Sequence, residues 1–91
     1  MININNVVSR RNDIDTTDLN GEIVMMDLEK GRYFSLNGVG SRIWEIIESP
    51  IGINKIVDCL LEEYDVNRNE CEENVIEFLA KLNDANIICV D

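Results

Sequence analysis

The sequence predicts an α+β domain in which a three-stranded antiparallel sheet is followed by three helices. In the first forty residues, short apolar runs are separated by turn signals such as Asn20-Gly21. After Asn37 the apolar residues recur at helical spacing, and a short apolar tail follows them. A chain of 91 residues is expected to form one domain, spanning residues 1–91.

The first predicted strand is Val7–Arg11, and the acidic, threonine-rich stretch 13–18 is interpreted as a loop. The next strand, Glu22–Leu28, is apolar almost throughout, which indicates a central or fully buried strand. It precedes a turn closed by Gly31, where a positive φ is expected.

The third strand is Arg32–Leu36. Side chains alternate along a strand, so Phe34 and Leu36 fall on one face and Tyr33 and Ser35 on the other. Asn37 breaks the strand and is placed to cap a helix.

Three helices follow. The first contains Ile43 and Trp44 and ends before Pro50. The second has an apolar stripe over three turns, made of Ile53, Ile56, Val57, Leu60, Leu61 and Tyr64. With a β-hairpin wing, the helical pair gives a winged helix-turn-helix-like arrangement.

The last helix is predicted over Arg68–Ala85, with Asn67 and Glu70 at capping-box spacing. Its core stripe is predicted to be Cys71, Val75, Phe78, Leu82 and Ala85. A second apolar strip, Ile76 and Leu79, lies beside that stripe. The final Ile87, Ile88 and Val90 are expected to form an extended tail along the core.

The charge distribution argues against nucleic acid and membrane as partners. The net charge is −10, and residues 45–91 hold twelve acids and three bases. Acidic helices are repelled by phosphates and by anionic lipid surfaces. No apolar run is long enough for a transmembrane helix and no signal peptide is visible, so a cytoplasmic protein is expected.

The sequence contains no catalytic constellation. It has no histidine, its three cysteines lack metal-type spacing, and Gly38-Val39-Gly40 lacks the third glycine of a nucleotide fingerprint. We therefore expect a non-enzyme with no metal and no cofactor.

Peptide binding is the function class that remains after these exclusions. If Arg32–Leu36 is an open sheet edge, an extended peptide can add to it, and Ile76 and Leu79 would line the adjoining groove. The alternative interpretation of Ile76 and Leu79 is further core beneath the C-terminal tail.

The run from Glu22 to Asn37, followed by Gly40, Ile43 and Trp44, resembles the PqqD-like family. These are the RiPP recognition elements, which bind leader peptides of ribosomally made, modified peptides. The resemblance extends from about Val7 to Val90 through Ile56-Val57…Leu60, Tyr64-Asp65-Val66 and Val75…Phe78-Leu79…Leu82.

The resemblance implies that a leader adds as a strand beside the third strand and lies in a groove against the third helix. The implied peptide-binding residues are Arg32, Tyr33, Phe34, Ser35 and Leu36, with Glu72, Ile76, Leu79 and Asn83 on the exposed edge of the last helix.

A stand-alone protein of this size resembles the B1 proteins of lasso-peptide clusters. That implies a precursor leader peptide and a cysteine protease of the same pathway as partners, or the macrolactam synthetase that acts after the protease. Three alternatives stay open. One is a PqqD-type chaperone that delivers a precursor to a radical enzyme. The others are a winged-helix protein–protein adaptor and a subunit stabiliser without peptide specificity.

Overall fold

The structure is a computed structural model that describes residues 2–11, 14–19, 22–27, 31–36 and 38–91, without the side chains of Asp15, Asp27 and Arg32. The strands are β1 (Val7–Arg10), β2 (Asp15–Leu19), β3 (Glu22–Asp27), β4 (Arg32–Leu36), β5 (Ile51–Gly52) and β6 (Ile88–Val90). The helices are α1 (Val39–Ile46), α2 (Ile53–Glu63) and α3 (Arg68–Asp84). The predicted α+β fold, with a three-stranded antiparallel sheet and three helices, is confirmed.

Strands β2, β3 and β4 form an antiparallel sheet in that order, here called the hairpin sheet. Its register aligns Thr17 with Val24 and Val24 with Ser35. The loop predicted over residues 13–18 is wrong for residues 15–18, which belong to β2. Residues 16–19 are all exposed, so β2 has no apolar alternation to reveal it, although its β-branched threonines suit a strand.

The predicted turns fall partly outside the described residues. The described residues do not include Asn20-Gly21, Leu28 or Asn37, to which these predictions refer. Gly31 has a φ of +66°, as predicted for a residue that closes the turn before β4. Helix α1 begins directly after Gly38, whose φ of +53° is also positive.

The remaining strands form a second antiparallel sheet in the order β5-β1-β6, here called the terminal sheet. The prediction that Val7–Arg11 joins the other two early strands is wrong, because β1 pairs with β5 and β6 instead. Val8 and Ile88 are almost fully buried, so this pairing seals one side of the core. The C-terminal tail lies along the core, as predicted.

The helical predictions hold closely. Helix α1 ends at Ile46, before Pro50 as predicted, and β5 begins at Ile51. Helix α3 is capped by Asn67, whose side-chain oxygen accepts a hydrogen bond of 3.0 Å from the Glu70 amide. One apolar core draws on both sheets and all three helices, and it includes Val8, Met25, Trp44, Ile56 and Leu79. Over the described residues, none of the helices has the length and apolar character to cross a membrane.

Candidate functional site

Strand β4 is the edge of the hairpin sheet. Among the described strands, β3 is its only neighbour, from Ile23 opposite Leu36 to Asp27 opposite Arg32. Leu36 is buried and Phe34 half-buried on the core side, whereas Tyr33 and Ser35 are exposed. The predicted alternation of β4 is therefore confirmed. The backbone groups along its outer edge have no strand partner in the described chain.

The end of β4 is tied to α1 and meets α3. The buried Ser41 hydroxyl donates a 2.7 Å hydrogen bond to the Leu36 carbonyl oxygen. A Cβ built on Gly40 would lie 3.7 Å from the Leu36 Cβ and 3.4 Å from Cε1 of Phe78. The first turn of α1 thus holds the last residue of β4 beside the Phe78 ring.

An apolar cavity of about 300 Å³ lies between the three helices, and Gly40 and Phe78 of this junction belong to its lining. It is lined by Val39, Gly40 and Ile43 of α1, by Leu60, Tyr64 and Val66 of α2 and the segment after it, and by Glu70, Cys71, Asn74, Val75 and Phe78 of α3. Three of the large apolar lining residues are exposed to solvent: Val39 (43%), Tyr64 (36%) and Val66 (47%). Exposed apolar side chains around an open cavity are typical of a binding surface.

Ion pairs link the helices that line this cavity. Arg42 of α1 donates to both carboxylate oxygens of Glu63 on α2, with an Nη2–Oε2 distance of 2.7 Å. This hydrogen bonding lowers the pKa of Glu63 and raises that of Arg42. Arg68 of α3 pairs with Asp58 of α2, and also with Glu72 at 3.4 Å. These ion pairs link α1 to α2 and α2 to α3 across the surface of the shared core.

The cavity is lined mainly by apolar side chains. Burial raises the pKa of the Cys71 thiol, so this group is protonated at neutral pH and acts as an apolar wall. Its polar lining residues are Glu70 and Asn74. The described residues contain no cluster of three or more side chains suited to hold a metal ion.

The predicted residues of α3 do not share one environment. Leu79 is fully buried in the core, so its prediction as an exposed edge residue is wrong. Glu72 and Ile76 are half-buried, and Asn83 is exposed. Phe78, predicted for the core stripe, is half-buried at the cavity.

The residues that meet the end of β4 lie on another side of α3. At 100° per residue, Phe78 lies about 140° round the helix from the centre of Glu72, Ile76 and Asn83. A role of those three residues in peptide binding stays a prediction. The structure brings together β4, the start of α1 and the side of α3 that carries Asn74 and Phe78.

Sequence reasoning missed the cavity. Tyr64 was predicted as the last member of the α2 stripe, but it is the C-cap residue of α2 and lies at the cavity rim. The available signal was Val66, an apolar side chain that follows Tyr64 in the link between two helices and belongs to no predicted amphipathic stripe.

The family model of Coenzyme PQQ synthesis protein D (PqqD) matches residues 22–88, which is most of the chain. The chain belongs to the PqqD family. No curated protein matches it.

Two solved structures resemble this PqqD-family chain. TbiB1, solved in complex with the TbiA(beta) leader peptide, is 31% identical with a TM-score of 0.80, and the match covers 88% of this chain and 93% of that one. A lasso peptide synthetase B1, complexed with the leader peptide, is 20% identical with a TM-score of 0.79. That match covers 90% of this chain and 96% of the synthetase chain. The second match shows a shared fold.

Proposed function

We propose that this chain binds the leader peptide of a ribosomally synthesised precursor by β-strand addition at β4 and presents it to a leader-removing cysteine protease of a lasso-peptide pathway. One observation carries the proposal: β4 is an edge strand of the hairpin sheet, and its last residue, Leu36, lies beside Gly40, which lines an apolar cavity. The likeness to TbiB1, a protein solved with a leader peptide, supports it.

The hairpin sheet has two edges, and its surroundings favour β4 over β2. Along β2, residues 16–19 are all exposed, so a guest strand there would find backbone partners but no apolar recess. Phe34 and Leu36 lie on the core side of β4, and Gly40, which lies beside Leu36, lines the cavity. Backbone pairing supplies general affinity and side-chain pockets supply selectivity, so β4 is the selective edge.

The cavity sets the kind of side chain that anchors the guest. Its volume of about 300 Å³ is at the small end of ligand pockets. That volume suits one aromatic or large aliphatic side chain. Val39, Tyr64 and Val66 at the rim would lose exposed apolar surface when the anchor enters. The leader is thus expected to offer an apolar residue just past the segment that pairs with β4.

Delivery, rather than catalysis, is the role that this site fits. A bound leader holds the precursor's cleavage site near the protease, and tethering raises the local concentration into roughly the millimolar range. The cytoplasmic location and the single domain over residues 1–91 stay predictions.

The test is a fluorescence-polarisation titration with the labelled leader peptide encoded beside this chain and a scrambled peptide of the same composition. We expect saturable binding of the leader alone. Equal binding of both peptides, or of neither, would contradict leader recognition.

A second candidate is delivery of a precursor to a radical enzyme, favoured by the description of the matching family model, a coenzyme PQQ synthesis protein. The two candidates separate in a pull-down. The leader-loaded protein should retain the leader protease and not a radical enzyme if the lasso-type proposal is right.

A further inference from the structure

The apolar cavity has one acidic residue in its lining. Of the described residues that line it, Glu70 is the only Asp or Glu, and none is a lysine or an arginine. Glu70 is exposed and belongs to the first turn of α3. Asn74, the other polar lining residue, follows one turn later on the same side of the helix. A guest that enters the cavity therefore meets a carboxylate at its edge.

Glu70 lies at the end of the cavity that is farther from β4. Phe78 meets the end of β4 beside Gly40, and Glu70 precedes Phe78 by eight residues, or about 12 Å along the axis of α3. The exposed rim residues Tyr64 and Val66 lie in the segment just before α3, at the same end as Glu70. An extended peptide covers about 12 Å with about four residues. A leader that pairs with β4 and continues along the cavity would thus reach Glu70 about four residues from the paired segment.

The two arginines of the helices around the cavity are paired with other carboxylates. Arg42 pairs with Glu63 at 2.7 Å, and Arg68 pairs with Asp58 on the neighbouring helix. Within the described part of the chain, none of the ion pairs involves Glu70. The carboxylate of Glu70 is therefore available to a cationic group that a guest brings.

An unpaired carboxylate beside an apolar cavity affects which guest binds. When an apolar anchor fills the cavity, Glu70 loses part of its hydration, and that loss opposes binding unless a new partner replaces the water. A lysine or arginine of the guest supplies such a partner, whereas an acidic guest residue is repelled, because residues 64–78 hold five acids and one base. We propose that Glu70 selects leaders that carry a lysine or arginine within about four residues of the segment paired with β4, an inference that rests on the proposed function.

The experiment is a double-mutant cycle between this chain and the leader peptide encoded beside it. Glu70→Gln removes the charge and keeps the length and helix propensity of the side chain. In the leader, each lysine or arginine is replaced by glutamine, one at a time. Glu73→Gln is the matched control, since Glu73 is exposed on the same helix and does not line the cavity. Affinities are measured by fluorescence polarisation at low and high salt, because salt screens exposed charges.

We expect Glu70→Gln to weaken leader binding about two- to five-fold at low salt, and less at high salt. One leader substitution should cause a similar loss that does not add to the loss from Glu70→Gln. Glu73→Gln should bind leader like wild type.

The outcomes separate this inference from the proposed function. Equal losses for Glu70→Gln and Glu73→Gln would indicate diffuse attraction by the acidic surface and would overturn the selective role of Glu70. Fully additive losses in the cycle would overturn it too. If Glu70→Gln binds leader like wild type, the selection by charge is refuted and leader recognition stands. If wild type binds no leader, the proposed function is refuted and this inference with it.

Discussion

Filling the cavity from within the chain should weaken leader binding while leaving the fold intact. Asn74 of α3 is exposed and lines the cavity. A tryptophan in its place can lay its ring into the volume of about 300 Å³ and occupy the anchor position. Trp and Asn have similar helix propensities, so α3 should form as before.

The expected loss follows from the apolar burial that the guest can no longer make. Fully burying one large apolar side chain is worth about 1.5–3 kcal/mol. At 1.4 kcal/mol per factor of ten, Asn74→Trp should weaken leader binding by about 10- to 150-fold. The assay is the leader titration by fluorescence polarisation, with thermal unfolding followed by circular dichroism to show that the variant is folded.

Asn83→Trp is a matched control on the same helix. Asn83 is also exposed, and nine residues at 100° each place it about 180° round α3 from Asn74. We expect Asn83→Trp to bind leader like wild type. The reverse result, with Asn83→Trp impaired and Asn74→Trp unaffected, would refute the cavity as the anchor and support the edge of α3 that the sequence predicts.

Three further predictions concern stability. Leu79→Ala should lower the free energy of unfolding by about 2–5 kcal/mol in urea denaturation, because Leu79 is fully buried, and the half-buried Ile76→Ala should cost less. Equal costs would contradict the placement of Leu79 in the core. Asn67→Ala should cost about 1 kcal/mol, since it removes the cap on the Glu70 amide, and Asn67→Asp should retain most of that stability. Because Arg42 lowers the pKa of Glu63 from its usual 4.5, the unfolded chain takes up a proton there first as pH falls. The contribution of Glu63 to the free energy of unfolding is present above about pH 4.5 and is lost as pH falls through the pKa of the folded state. Glu63→Gln should therefore flatten the acid end of a profile of stability against pH. An unchanged profile would contradict a stabilising ion pair between Glu63 and Arg42.

Patterns with a strong local cause were predictable from the sequence. The face alternation of β4, the cap at Asn67 and the apolar stripe of α2 each follow from periodicity or from one side chain. Strand β2 was not predictable in this way, because its residues are exposed and only pairing with β3 defines it.

The same distinction between local patterns and tertiary packing applies to the candidate site. The β4 edge is a property of one segment, and the sequence indicates it. The cavity depends on the rotation of α3 about its own axis, which turns its Phe78 side toward α1. Tertiary packing determines that rotation. The second apolar strip, Ile76 and Leu79, lies beside the predicted core stripe and left that rotation undetermined. Leu79 is therefore in the core and Phe78 is half-buried at the cavity, the reverse of their predicted positions.

The energetics explain why an edge alone would not select a leader. Strand β4 has five residues, and ordering a disordered guest of that length costs about 5–10 kcal/mol in backbone entropy. About five backbone hydrogen bonds return roughly 0.5–1.5 kcal/mol each, so pairing by itself is unfavourable by about 2–3 kcal/mol at the middle of the two ranges. The edge of β2 offers the same pairing and no cavity, which leaves it without net affinity for a disordered peptide. At β4 the anchor side chain adds the decisive few kcal/mol. In the proposed binding mode, the fold would therefore recognise a leader mainly at one apolar residue, and the strand pairing would fix the direction and register in which the rest of the precursor leaves the site.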